Sequence, residues 1–184
     1  MPRSIVRVAL LMFCLCGIVF AANSAGVWLD VPFIKQDRDG CGAASIAMVM
    51  QYWQHQQHGP ISPGADAAHI LRILHSDEAH GIYASAMVRY FQQSGYRTFA
   101  FSGAWADLQH HIAQGRPLIA ALKPDASSTL HYVVVAGIDP VQDVVMLNDP
   151  EQRKLLKEDR KQFEQEWKAT NDWTLLAVPA STAH

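Results

Sequence analysis

Cys41 opens one apolar run, His131 opens another, and Asp149 closes a third. Together these residue types can carry out thiol-based acyl chemistry. The thiolate is the reactive form of cysteine, so a nucleophilic cysteine needs surroundings that favour its charge. A helix start supplies part of this through its unpaired N–H groups and its macrodipole. Here a polar turn, KQDRDG, runs into Cys41, and the helix formers GAASIAMVMQYW follow. Gly42, Ala43 and Ala44 in that first turn are expected to let a substrate backbone approach the sulfur. An imidazole must then hold the proton, and a third group must orient the imidazole. Of the nine histidines, His131 is the one at the mouth of a buried-strand pattern, HYVVVAGI. A hairpin turning about Val141 brings Asp149, in Asn148-Asp149-Pro150, within about one rung of it. Acyl transfer also needs donors aimed at the developing oxyanion, each worth ~2.7–4 kcal/mol. Gln36, on the turn before Cys41, can offer a side-chain amide beside the Cys41 backbone N–H.

The elements that must hold these groups follow from periodicity. An extended segment covers residues 27–34, and the Cys41 helix is apolar all round, as for a helix buried mid-domain. Helices are predicted over 65–75, 84–94 and 105–114, the last two stopped by Gly95 and Gly115. Strands are predicted over 96–101, 117–122, 131–138, 144–147 and 173–178. The charged stretch 152–167 mixes signs and includes a surface helix. Helices come first and an antiparallel sheet second, so the fold class is α+β.

The N-terminus reads as an address. Arg3 and Arg7 precede Val8–Ala21, which carries no charge, and small residues follow: the pattern of a secretory signal over residues 1–25, cleaved between Ala21 and Gly26. An uncleaved anchor is the alternative reading. The domain then spans 26–184, with no stable membrane insertion after cleavage and a periplasmic or secreted location. Cleavage removes two arginines, so 15 basic residues become 13 against 17 acidic and the formal charge becomes −4. It also removes Cys14 and Cys16, leaving Cys41 without a disulfide partner in an oxidising compartment. With 184 residues, 49% hydrophobic and 17% charged, the chain is a single globular domain. The absence of a basic surplus argues against nucleic acid as a partner.

Gln36-Asp-Arg-Asp-Gly-Cys41-Gly-Ala-Ala-Ser, then His131-Tyr-Val-Val-Val-Ala-Gly, then Asn148-Asp149-Pro150, resembles the bacteriocin-processing (double-glycine) cysteine peptidases and their stand-alone relatives in the papain-like superfold. The resemblance runs from about Val31 to Pro150. It implies Cys41 as nucleophile, His131 as general base and acid, Asp149 as the orienting residue and Gln36 in the oxyanion hole. It also implies a Cys-bearing helix packed on an antiparallel sheet that carries the His and Asp. The papain-type motif has an aromatic after the nucleophile where this chain has Gly42, and an amide where it has Asp149, as the double-glycine group does.

The expected activity is therefore a thiol peptidase acting on a peptide or protein substrate. A thiol acyltransferase or amidase would use the same residues, and a catalytically idle papain-like binding module is the remaining class. No cofactor is expected. Neither His75 with His80 nor His110 with His111 matches a metal-ligand spacing, so no metal is expected either. Trp167 and Trp173 are read as core.

Overall fold

Helix α1 (Cys41–Gln56) is apolar on every side because every side is covered: Gly42 through Met50 are all buried. The computed structural model describes residues 26–124 and 129–180, so the expected signal segment and His184 lie outside the described residues. Beside α1 pack α2 (Ala67–Leu74) and α3 (Ala84–Gln93). Helix α2 begins at Ala67 rather than Ala65, because Pro63–Ala65 forms a single 3-10 turn and Asp66 caps the helix, accepting the His69 N–H at 2.7 Å. Among the described residues no helix is long and apolar enough to cross a membrane.

Among the described residues seven strands form one sheet: β1 (Val27–Trp28), β2 (Tyr96–Ser102), β3 (Leu118–Leu122), β4 (His131–Asp139), β5 (Val144–Asn148), β6 (Leu156–Asp159) and β7 (Trp173–Pro179). Their order is β2-β7-β3-β4-β5-β6, with β1 paired to β4 and every pairing antiparallel. Helices α4 (Trp105–Ala113) and α5 (Arg160–Lys168) lie on the face opposite α1. The fold is thus α+β, as expected. Ile119, Ala121, Val134 and Ala136 join the core beneath α1, while Leu118, Ala120, Val133 and Val135 join Leu108, Ile112, Phe163 and Trp167 on the other side. A sheet covered on both faces explains why its inner strands read as unbroken apolar runs instead of alternating ones.

Two features depart from the periodicity. Within the charged stretch, ahead of its helix, lies strand β6, paired with β5 from Val144↔Asp159 to Leu147↔Leu156. An edge strand tolerates such charge because one side of it meets water. Asp159 then caps α5, accepting the N–H groups of Lys161 and Gln162. The last strand, β7, lies between β2 and β3, a place that periodicity does not report.

The register around His131 is set at both sides of β4. Leu122 pairs with His131 on one side, and Val134 pairs with Asn148 on the other. Between Val135 and Gly137 the β4–β5 register slips, and the carbonyl of Ala136 there accepts the Leu29 N–H at 2.7 Å. Gly137 sits where β1 crosses: an added Cβ would lie 2.8 Å from the Val27 carbonyl.

Candidate active site

Cys41 is the first residue of α1, a half-buried free thiol. The turn before it is tight. Gly40 donates its N–H to the Asp37 carbonyl at 2.8 Å, and a Cβ on Gly40 would sit 2.6 Å from that same oxygen, so only glycine fits. Asp39 takes a φ of +48° within the turn. The packed α1 behind this turn fixes where the sulfur stands.

His131 brings the other end of the sheet to Cys41. Its Nε2 lies 2.8 Å from Asp149 Oδ1, with the two side chains only 16% and 6% exposed. Since Asp149 takes Nε2, Nδ1 is the ring nitrogen left for the sulfur. Burial alone would lower the His131 pKa. The Asp149 hydrogen bond, hydrogen bonding to Cys41 and the charges of both override it and raise the value to about 10. Asp149 shows the converse. Burial pushes its carboxyl up, but the His131 bond and charge, the Glu151 N–H and the Gln152 amide together hold it below the usual carboxylate range.

The structure therefore brings together Cys41, His131 and Asp149, on the helix start, the strand mouth and the partner strand end that the sequence indicated. Gln36 stands on the turn that leads into Cys41. Its N–H donates to the Pro150 carbonyl at 2.9 Å, and its side-chain Oε1 is enclosed without a hydrogen-bond partner. It borders a cavity of about 390 Å³ shared with Ala43, Ala44 and Leu71.

A model of the Peptidase_C39 like family matches residues 28–174. The chain belongs to that family. As a C39-like chain it is a cysteine peptidase, and its fold is that of solved C39 domains. One is a C39-like peptidase from Bacillus anthracis, 19% identical over 84% of this chain and 98% of that one, with a TM-score of 0.65. A second is the peptidase domain of Streptococcus ComA, a bi-functional ABC transporter involved in quorum sensing: 18% identity, 81% and 98% coverage, TM-score 0.63. A third is a double-glycine motif protease from an AMS/PCAT transporter in complex with the leader peptide: 19% identity, 83% and 94% coverage, TM-score 0.61. No curated protein sequence matches the chain.

In this C39-like peptidase Gly42 packs closely against its neighbours, while Ala43 and Ala44 border the cavity that Gln36 also lines. Gly42, Ala43 and Ala44 are all buried; a Cβ on Gly42 would meet Ile82 Cβ at 3.2 Å and the Tyr132 ring at 3.4 Å. Trp167 is core, packed on Phe163 with ring centroids 5.3 Å apart, and Trp173 meets the edge of Tyr132 at 5.6 Å.

Sequence reasoning missed the groups around Asp149. Its Oδ1 accepts the Glu151 N–H at 2.9 Å, and its Oδ2 accepts Gln152 Nε2 at 2.8 Å. An acid-then-amide spacing after Asn-Asp-Pro carries no periodic signal, because the loop that folds it back is set by tertiary contacts. Beyond the pair lies a cavity of about 520 Å³ bordered by His131, Asp149, Gln152, Glu158 and Glu166. Burial, and then the charges of Glu166, Asp149 and Asp159, push the Glu158 carboxyl up to about 7. Among the described residues no group of three or more His, Cys, Asp or Glu side chains is placed to hold a metal.

Proposed function

We propose that this peptidase hydrolyses peptide bonds through a Cys41, His131 and Asp149 triad with Gln36 in the oxyanion hole, acting in the bacterial envelope or outside the cell. The observation that carries this reading is the position of His131: one ring nitrogen on a buried carboxylate, the ring coupled to the sole cysteine of the mature chain. An imidazolium that persists to about pH 10 beside the sulfur is the partner a thiolate nucleophile requires.

In the proposed cycle the Cys41 sulfur attacks the scissile carbonyl carbon, forming a C–S bond while the carbonyl oxygen takes up negative charge. The backbone N–H of Cys41 and the Gln36 amide stabilise that oxygen. As the C–N bond breaks, His131 gives its proton to the departing amine and a thioester remains. A water molecule then attacks the thioester. His131 takes its proton, the C–S bond breaks, and the acid product leaves with the thiolate and imidazolium restored. Asp149 keeps the ring oriented and offsets its charge throughout; it does not take the proton.

A leader peptide bound to the double-glycine motif protease supports a peptide or protein substrate here. The Arg3, Arg7 and Val8–Ala21 pattern supports export. The test incubates mature protein and its Cys41→Ala variant with a peptide library and reads products and covalent adducts by mass spectrometry. Cleavage with a thioester adduct on Cys41, both absent in the variant, is the expected result. Products joined to an added amine instead of water would identify an acyltransferase. No adduct and no product from the wild type would leave a binding module.

A further inference from the structure

Asp149 and Gln36 lie on different loops, and one buried side chain joins the two. Asn148, the last residue of β5, is fully buried. Its Nδ2 donates to the Val31 carbonyl at 3.0 Å, on the segment that runs on to Gln36. Its Oδ1 accepts the Leu155 N–H at 3.0 Å, which closes the loop carrying Asp149. Leu155 adopts a φ of +50°, a conformation uncommon for a non-glycine residue. Two backbone bonds lie along the same seam: the Gln36 N–H to the Pro150 carbonyl at 2.9 Å, and the Asp149 N–H to the Arg153 carbonyl at 3.1 Å. Val31 is itself fully buried, so the anchor on the Gln36 side is fixed.

We propose that Asn148 is a positioning residue for peptide hydrolysis, a two-ended amide that holds the Asp149 loop and the Gln36 segment at one separation, so that the imidazole and the oxyanion donors meet the same carbonyl. The proposal rests on the triad reading above. Asn148 acts through Asp149 and Gln36 and touches no reacting atom. Cutting it back to alanine leaves a buried carbonyl and a buried N–H without partners, and both loops lose their common tie. Aspartate in its place keeps an acceptor for Leu155 but sets a carboxylate against the Val31 carbonyl, so it breaks one link and spares the other. Displacement of catalytic groups by about 1 Å costs about 10²-fold in rate, whereas ground-state binding made elsewhere is untouched.

The experiment measures kcat and KM across pH on a peptide that the wild type cuts, and the rate of Cys41 alkylation, for wild type, Asn148→Ala and Asn148→Asp. Thr174→Val is the control for loss of a buried hydrogen bond: Thr174 is fully buried in β7 and bonds the Asp172 carbonyl at 3.0 Å. All four are assayed where circular dichroism shows them folded. Asn148→Ala is expected to lose about 10²-fold in kcat with KM within about threefold, and Asn148→Asp to lose less. The alkaline limb of kcat, near pH 10 in the wild type where the imidazolium that protonates the leaving amine is lost, is expected to move down in Asn148→Ala as Asp149 loosens from His131. Thr174→Val is expected to leave kcat and the limb unchanged. If Asn148→Ala does not fold, Asn148→Asp carries the same comparison. An active wild type whose Asn148 variants match it in kcat and in pH profile overturns the proposal alone, as does a Thr174→Val variant with the same losses. A wild type with no thiol reactivity overturns the triad reading and this proposal with it.

Discussion

Replacing Asp149 by alanine removes the acceptor from a bond of 2.8 Å between two side chains that are 16% and 6% exposed. Breaking a buried pair by deleting one partner costs about 3–5 kcal/mol, because the other charge stays buried and uncompensated. If that cost falls on the imidazolium form of His131, kcat/KM drops by about 10²–10⁴ at neutral pH. The pH profile moves as well. Burial pulls the His131 pKa down and its partners pull it up to about 10, so removing Asp149 shifts the alkaline limb to lower pH. The sign is that of a raised base: the pair's contribution to stability is complete below the unfolded value of about 6.5 and is lost as pH rises through about 10. Asp149→Asn separates charge from geometry, since the amide oxygen can still accept from His131 and from the Glu151 N–H. It is expected to retain more activity than alanine while its limb also moves down. The assay is kcat/KM on a cleaved peptide from about pH 5 to pH 11, fitted for the limiting values. An alanine variant with its limb still near pH 10 and kcat/KM within about tenfold of wild type would refute the reasoning.

Gln36→Ala should lower kcat by about 10²–10³ if its amide serves the oxyanion, with the rate of Cys41 alkylation unchanged because alkylation develops no oxyanion. Gly40→Ala should lose about 1–3 kcal/mol in urea unfolding, since the new Cβ lies 2.6 Å from a backbone oxygen that cannot move aside cheaply. Glu158→Gln should stabilise the protein above neutral pH. Unfolded chains release this proton near 4.5 and the folded one near 7, so stability falls across that interval and the amide removes the loss. Discounted for partial solvent exposure the gain is about 1 kcal/mol, or ~2–4 °C in Tm at pH 8, and it should vanish at pH 4.

Legibility in the sequence followed burial. His131 could be placed because HYVVVAGI has no polar interruption, which a sheet covered on both faces demands. Asp149 followed from hairpin arithmetic, which survives the slip after Val135 because a one-residue shift still leaves both side chains at the open end. Cys41 stood out because a polar turn meets an apolar helix there. Strand β6 was hidden: Leu156 to Asp159 sits inside a run of charges whose pairing with β5 is a long-range event at the sheet edge. The place of β7 between β2 and β3 was hidden for the same reason, since periodicity reports a strand but not its neighbours. Small residues at Gly42 to Ala44 suit both a substrate path and close packing, and only the contacts of Ile82 and Tyr132 show that Gly42 itself packs closely. Asn148 and Gln152 look like ordinary loop polar residues until their partners, Val31 and Asp149, are brought to them.

The most direct test of the ion pair is the rate at which a neutral thiol-directed alkylator labels Cys41 in the mature protein at pH 6, read by intact mass beside a His131→Ala variant and a free thiol. The account predicts fast labelling in the wild type, with the rate falling to that of the free thiol in the variant. Equal, slow labelling in all three would contradict it.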